Sequence, residues 1–140
     1  MKFRKMMGVT AAFLCAALAL SGCGSTDETA YRIGIVQQDE HSSLDAATQG
    51  FEDKLMELLG EENVTFDYQN AQGEQANCTT IATKFVSDGC DLILANGTTA
   101  LQSAAAATAD IPIVGTSVTD YIAAGAVNSN EKPGTNVTGV

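Results

Sequence analysis

The segment FVSDGCDLILANGTT, residues 85–99, gives the strongest indication of the fold. A helical pattern stops at Gly89, the almost wholly apolar run DLILA follows at 91–95, and a polar loop occupies 96–99. A short apolar run of this kind is typical of a strand that is buried on both faces of a parallel sheet. The segment therefore predicts a helix, a central strand and a loop at the carboxyl end of that strand.

The same alternation of strand-like and helix-like segments extends over the rest of the chain. Apolar residues recur at helical spacing between the apolar or alternating runs, which indicates β-α-β units. Because such units cross over in a right-handed sense, we expect an α/β protein with a parallel, doubly wound sheet of strand order 2-1-3-4. The expected strands are 31–36, 64–68, 91–95 and 111–114, the expected helices are 44–59, 75–87, 99–108 and a weaker one at 120–126, and a fifth strand begins within 132–140.

The first residues have the pattern of an export signal. A basic start (Lys2, Arg4 and Lys5) precedes an uncharged apolar stretch that is too short to span a bilayer comfortably. The motif Leu-Ser-Gly-Cys23 then resembles the lipobox of bacterial lipoproteins. We expect residues 1–22 to be a signal peptide, Cys23 to be lipidated, and residues 23–30 to form a flexible tether; an ordinary secretory signal or an uncleaved anchor are the alternatives.

The charge of the predicted mature chain excludes some partners. Removal of residues 1–22 leaves four basic residues against seventeen acidic ones, a formal charge near −13 with His41 neutral. So acidic a chain repels nucleic acid and anionic lipid headgroups. Membrane attachment must then come from lipid on Cys23.

Two cysteines remain for the folded part, Cys78 and Cys90. They flank a predicted helical segment, and twelve residues at a rise of about 1.5 Å separate them by roughly 18 Å, which is too far for a disulfide. We interpret both as small packing residues.

Three polar loops follow the predicted strands and form the candidate ligand site. They are residues 38–43, 96–99 and 116–120, and they are rich in hydroxyl and amide side chains at the starts of helices. Ligands of doubly wound sheets bind at the carboxyl ends of the strands, near the switch point between strands 1 and 3. Free N–H groups at helix starts suit a carboxylate or a phosphate. Capping alone explains any one of these loops, but three on one edge favour a binding site.

Enzymatic and metal-binding functions have little support. The sequence lacks GxGxxG and GxxxxGK[ST] motifs. Ser117, His41 and Asp120 provide the residue types of a catalytic triad, but no Gly-x-Ser-x-Gly elbow surrounds Ser117. One histidine without a cysteine or second histidine nearby does not provide a suitable set of metal ligands. We expect no catalysis, no cofactor and no metal, and His41 is either part of a binding loop or a polar residue in a turn.

Longer stretches of the sequence resemble a known family. YRIGIVQQDEHSSLDAATQGFEDKL, DYQNAQG, KFVSDGCDLILA, IPIVGTSVTD and KPGTNVTG are similar to segments of the substrate-binding lipoproteins of ABC importers, in particular of the subfamily that includes tryptophan and other aromatic amino-acid binders. The resemblance covers nearly all of residues 31–140. It implies the first lobe of a type I periplasmic-binding-protein fold, on the outer face of the bacterial cytoplasmic membrane, that delivers an amino acid-like small molecule to an ABC permease.

The resemblance also implies roles for individual residues. Thr98, Thr116 and Ser117 would hold an amino-acid carboxylate, and Glu40 or Asp120 would meet its ammonium group. The full set of implied ligand contacts is Glu40, His41, Asn96, Gly97, Thr98, Thr99, Thr116, Ser117, Val118 and Asp120.

The chain departs from the family pattern in three respects. It ends at Val140, inside the expected first lobe, so we expect a fragment without the second lobe. Asn96-Gly97 replaces more apolar residues, and Tyr121 stands where many relatives have proline, which puts the aromatic specificity in doubt. A sensory or structural use of the same lobe, without transport, is the alternative function.

Overall fold

The computed structural model describes residues 30–140. The predicted signal peptide, the lipidation site Cys23 and nearly all of the predicted tether lie outside the described residues. The elements, in chain order, are strand β1 (Tyr31–Gln37), helix α1 (Ser42–Leu59), a short 3₁₀ turn (Glu61–Asn63), strand β2 (Val64–Asn70), helix α2 (Gln75–Ser87), strand β3 (Leu92–Asn96), helix α3 (Thr98–Ala107), strand β4 (Ile113–Thr116) and strand β5 (Val137–Gly139).

The strands form one parallel sheet in the order β2-β1-β3-β4-β5. The predicted order 2-1-3-4 is confirmed, and the segment expected to begin a fifth strand pairs with β4 through Val137 opposite Ile113. Strand β2 lies on one side of β1, and the chain then crosses back to place β3 on the other side. The switch point therefore lies between β1 and β3, which end beside each other at Gln37 and Asn96.

Apolar side chains fill both faces of the sheet. Ile33, Ile35 and Leu94 pack under α1 on one face, whereas Phe85 of α2 lies in the larger cluster on the other face, which also includes residues of α3. A Cβ atom on Gly34 would lie only 2.6 Å from the Phe85 ring, so β1 needs glycine there for α2 to approach. Helices therefore cover both faces, and the predicted doubly wound α/β class is confirmed.

One predicted helix is wrong. Residues 120–126 form a series of turns rather than a helix. Asp120 accepts hydrogen bonds from the N–H groups of Ile122 and Ala123 and begins a single turn, which closes with Ala124 N–H donating to the Asp120 carbonyl at 3.0 Å. Gly125, at φ +71°, then leaves the helical conformation, and one turn is too short to sustain a helix.

Helix α1 begins two residues before the expected 44, and its cap is a histidine rather than one of the two serines that follow it. His41 is the N-cap residue, in extended conformation, and its ring accepts the N–H of Ser43. Ser42 is already the first helical residue, and α1 ends before Gly60, as predicted. Strand β4 begins at Ile113, directly after Pro112, two residues later than the predicted start at 111.

Cys78 and Cys90 are free and buried, which confirms their interpretation as packing residues. Among residues 30–140, no helix is long and apolar enough to cross a membrane.

Candidate functional site

The carboxyl ends of β1, β3 and β4 lie side by side. Gln37 pairs with Asn96, and Asn96 pairs with Thr116, so the three predicted polar loops leave the sheet from adjacent positions. Direct hydrogen bonds join these loops. The structure therefore brings the predicted loops together on one edge.

In the loop after β1, Glu40 and His41 are exposed. The Nδ1 atom of His41 lies 3.2 Å from the N–H of Ser43 and 2.7 Å from its hydroxyl oxygen. Because Nδ1 accepts the backbone N–H, the neutral ring carries its proton on Nε2. That Nε2–H group is the donor that His41 can offer to a ligand. The N–H of Glu40 donates to Asp39 Oδ1 at 2.8 Å, which fixes the turn.

In the loop after β3, Gly97 has φ +112°, a value that side chains other than glycine rarely adopt. It packs against Gln38: a Cβ atom on Gly97 would lie 2.7 Å from both Cβ and Oε1 of Gln38. Oε1 of Gln38 also accepts the N–H of Thr99 at 2.9 Å. The Thr99 N–H at the start of α3 therefore already has a hydrogen-bond partner. Thr98 is half-buried, and its hydroxyl contacts the loop after β4.

Asn96 differs from the other predicted site residues because its side chain is fully buried. Its amide nitrogen donates to protein groups, among them the carbonyl of Leu44 at 2.8 Å. In this structure Asn96 is thus part of the protein interior beneath the loops rather than part of their surface.

The loop after β4 contains Thr116, which is half-buried, and Ser117, which is exposed and has a left-handed backbone at φ +57°. Val118 packs against the larger core cluster. The N–H of Thr119 donates to the hydroxyl of Thr98 at 3.4 Å, which links this loop to the one after β3.

Asp120 has one carboxylate oxygen engaged by the turn that follows it. Tyr121, which replaces the proline expected from the resemblance, donates its hydroxyl to the Gly115 carbonyl at 2.8 Å. Burial raises the pKa of the Tyr121 hydroxyl. A cavity of about 290 Å³ lies beside this tyrosine, but its lining includes none of the predicted site residues.

Charge at this edge comes from acidic side chains and backbone groups. The segments 38–41, 97–98 and 117–120 contain no lysine or arginine. Among these segments, the groups that can hold a negatively charged group are N–H groups and hydroxyls, at the start of α3 above all. A positively charged group can meet Glu40, which is exposed.

Sequence reasoning missed Gln37 and Thr48 and assigned no role to Gln38. Gln37 extends the buried face of Ile33 and Ile35 at the two-residue period of a strand. A glutamine on that face was the available signal, but the predicted strand stopped one residue earlier. Gln38 bonds to the β3 side of the site through its backbone N–H, 2.9 Å from the Asn96 carbonyl, and through its side chain at Thr99.

Comparison with known proteins identifies the family. A sequence model described as "ABC transporter substrate binding protein" matches residues 32–140. The chain belongs to this family. Its predicted identification as an ABC transporter substrate-binding protein is confirmed.

Three similar proteins are informative. A tyrosine-binding protein of Clostridioides difficile (strain R20291) is 41% identical to this chain over an alignment of 154 residues. The alignment covers 99% of this chain and 44% of that protein. The ligand-free, open structure of a substrate-binding protein with adhesive properties from Clostridium difficile is 48% identical, with a TM-score of 0.75 over 78% of this chain and 38% of that one. A Streptococcus pneumonia structure in complex with L-Trp is 37% identical, with a TM-score of 0.76 over 80% and 38% of the two chains.

These similarities confirm the predicted periplasmic-binding-protein fold and the prediction that the chain is not an enzyme, because the family and these relatives are substrate-binding proteins. The chain spans less than half the length of the relatives described above.

Proposed function

We propose that this chain forms the first lobe of an extracytoplasmic solute-binding lipoprotein that takes up an amino acid, with aromatic side chains favoured, and delivers it to an ABC permease. The ligand site is the edge formed by the loops after β1, β3 and β4. The observation that carries this proposal is the convergence of these loops at the switch point, in a member of a substrate-binding family. Two relatives that are described as binding tyrosine and L-Trp support the aromatic preference.

The ligand carboxylate binds at the start of α3 and the neighbouring loop. Thr98, Thr116 and Ser117 provide hydroxyls and N–H groups there, and helix N-termini favour negative charge. The N–H of Thr99 takes no part, because Gln38 accepts it.

The ligand ammonium group binds Glu40. Of the two acids considered for this role, Asp120 has a carboxylate oxygen committed to its own turn, whereas Glu40 is exposed beside His41. The Nε2–H of His41 is free to donate to a polar group of the ligand. Asn96, Gly97 and Val118 shape the floor of the site.

A thermal-shift screen against the amino acids tests the ligand class. A ligand that binds only the folded protein stabilises it by RT ln(1 + [L]/Kd), about 2.7 kcal/mol at roughly a hundredfold excess over Kd. We expect the melting temperature to rise with tyrosine or tryptophan and to stay unchanged with aspartate or lysine. If neither aromatic amino acid raises it, the proposed ligand class is wrong.

Attachment to the outer face of the cytoplasmic membrane is proposed to depend on lipid at Cys23. We expect a Cys23→Ser variant, expressed in a bacterial host, to leave the membrane fraction and lose its detergent-phase partitioning. Cys15→Ser is the matched control, because it changes a cysteine inside the proposed signal peptide and should leave attachment intact. Membrane retention of the Cys23→Ser variant would show that attachment does not require lipid at Cys23.

A further inference from the structure

A row of polar residues crosses the sheet at the last paired position of its strands. Asn70 of β2 pairs with Gln37 of β1, Gln37 pairs with Asn96 of β3, and Asn96 pairs with Thr116 of β4. Paired residues of parallel strands point to the same face, here the face that α1 covers. Below this row the same face is apolar, so the row marks the boundary between the core and the candidate site.

Three buried side chains near this boundary form a directed chain of hydrogen bonds. The Asn96 amide nitrogen donates to the Thr48 hydroxyl at 3.0 Å, and that hydroxyl donates to Gln37 Oε1 at 2.8 Å. The Gln37 amide nitrogen then donates to Asp45 Oδ1 at 2.7 Å. Gln37 and Asn96 are 0% exposed and Thr48 is 5% exposed, so the two bonds among these three side chains are shielded from water, whereas the bond to the exposed Asp45 is only partly buried.

The same amides also hold the backbone on both sides of the first binding loop. The Gln37 amide nitrogen donates to the Asp39 carbonyl at 2.9 Å, just before Glu40 and His41. The Asn96 amide nitrogen donates to the Leu44 carbonyl at 2.8 Å, just after them. The two exposed residues are therefore fixed between two contacts that originate in the sheet.

The Asn96 amide has one defined orientation. Its nitrogen donates to the Leu44 carbonyl, so exchange of nitrogen and oxygen would place acceptor against acceptor there. Its Oδ1 atom is buried and accepts no hydrogen bond within the described part of the chain. Burial of an unpaired acceptor is unfavourable, which offsets part of the stability that the bonds donated to Leu44 and Thr48 contribute.

We propose that Gln37, Thr48 and Asn96 are positioning residues for ligand binding. They hold the loop after β1 at a fixed place relative to the loop after β3, so that Glu40 and His41 face the start of α3. None of the three side chains is exposed enough to be an ordinary surface contact, and their effect passes through backbone groups of the loops. This inference rests on the proposed function.

The Thr48→Val variant tests the proposal, because it removes the central hydroxyl and keeps the side-chain shape. We expect amide hydrogen exchange at Gln38, Asp45 and Thr99 to accelerate about tenfold or more, since these N–H groups bond to atoms of the two loops. Affinity for L-tryptophan should fall about tenfold in the same variant. Thr48→Ser, which retains the hydroxyl, should restore both quantities.

Ser103→Ala is the matched control. Ser103 is 6% exposed and has its hydroxyl 3.5 Å from that of Thr79, on α3 and away from α1, so this variant also removes a buried hydroxyl. We expect it to leave exchange at Gln38, Asp45 and Thr99 and the affinity for L-tryptophan unchanged. If Thr48→Val does not fold, Thr48→Ala removes the same hydroxyl with less steric demand and takes its place.

The possible results distinguish a failure of the positioning role from a failure of the proposed ligand-binding function. Unchanged loop exchange in Thr48→Val, or equal acceleration in Ser103→Ala, would overturn the positioning role. Accelerated loop exchange in Thr48→Val but not in Thr48→Ser or Ser103→Ala, together with no binding of any aromatic amino acid to the wild-type protein, would support the structural link and reject the proposed ligand.

Discussion

At the scale of single residues, Gln38 and Gly97 determine how the loops after β1 and β3 meet. Gln38 bonds to the loop after β2 as well, since its carbonyl accepts the N–H of Gly73 at 2.8 Å while its side chain accepts that of Thr99 at 2.9 Å. Gly97 permits the contact with Gln38 because it has no Cβ atom and tolerates φ +112°. The close approach of two loops therefore depends on one glycine.

We expect Gly97→Ala to lower the free energy of unfolding by about 1–3 kcal/mol, because the new side chain meets Gln38 and its backbone is strained. Urea denaturation measures this. Gly50→Ala is the control: Gly50 lies in α1, where an added Cβ atom would have nothing within 4 Å, and alanine there should stabilise the protein by about 0.5–1 kcal/mol. Equal effects at the two positions would contradict this role of Gly97.

His41 has two separable roles, the cap of α1 and the proposed ligand contact. We expect His41→Ala to lose both, with a decrease of about 0.5–2 kcal/mol in the free energy of unfolding from the lost cap. His41→Asn supplies another cap and should retain most of the stability while still weakening ligand binding. Urea denaturation and ligand titration distinguish the two. Full ligand affinity in His41→Asn would show that the imidazole makes no contribution to ligand binding.

At the scale of elements, an ion pair joins α2 to the β2 edge of the sheet. Lys84 of α2 contacts Asp67 of β2 and also Asp88 at 2.7 Å. The hydrogen bond from Lys84, and then one from Gln69, lowers the pKa of Asp67 below its usual 3.8. The pKa of Lys84 is raised by the same bond to Asp67 and by the one to Asp88.

The stability that this pair contributes should therefore depend on pH in two windows. The lowered pKa of Asp67 means that its contribution is present above pH 3.8 and is lost as the pH falls through the folded value. The raised pKa of Lys84 means that its contribution is lost only as the pH rises beyond 10.5. We expect Asp67→Asn to lower the melting temperature at pH 7 and to match wild type increasingly below pH 3.8. The exposed Glu131→Gln is the control, and a constant difference across pH would contradict this role of the pair.

The element pattern was predictable, and the details of the site were only partly so. Apolar runs such as 91–95 and helical spacing in 75–87 revealed the alternation of strands and helices, because burial on both faces leaves a clear pattern, and right-handed crossovers then gave the sheet order. The prediction for residues 120–126 was wrong because a capping aspartate followed by alanines is compatible with a single turn as well as with a helix. Thr48 could not be found from sequence, since its partners Gln37 and Asn96 lie 11 and 48 residues away.

At the scale of the whole molecule, the proposed ligand surface lies at the carboxyl ends of the parallel strands. The loops after β1 and β3 are joined through Gln38, and those after β3 and β4 through Thr98. In the proposed complex, N–H and hydroxyl groups hold the carboxylate of the ligand, and Glu40 meets its ammonium group. The central claim is that these three loops form one amino-acid site.

The most direct test is a titration of the ¹⁵N-labelled protein with L-tryptophan, followed by the backbone amide shifts. We predict saturable shift changes that are largest at Glu40, His41, Thr98 and Ser117, with little change in the segment that holds Arg32 and Asp91 at the opposite edge of the sheet. Aspartate at the same concentration should leave these amides unchanged. Shift changes confined to the cavity beside Tyr121, or none at the three loops, would contradict the claim.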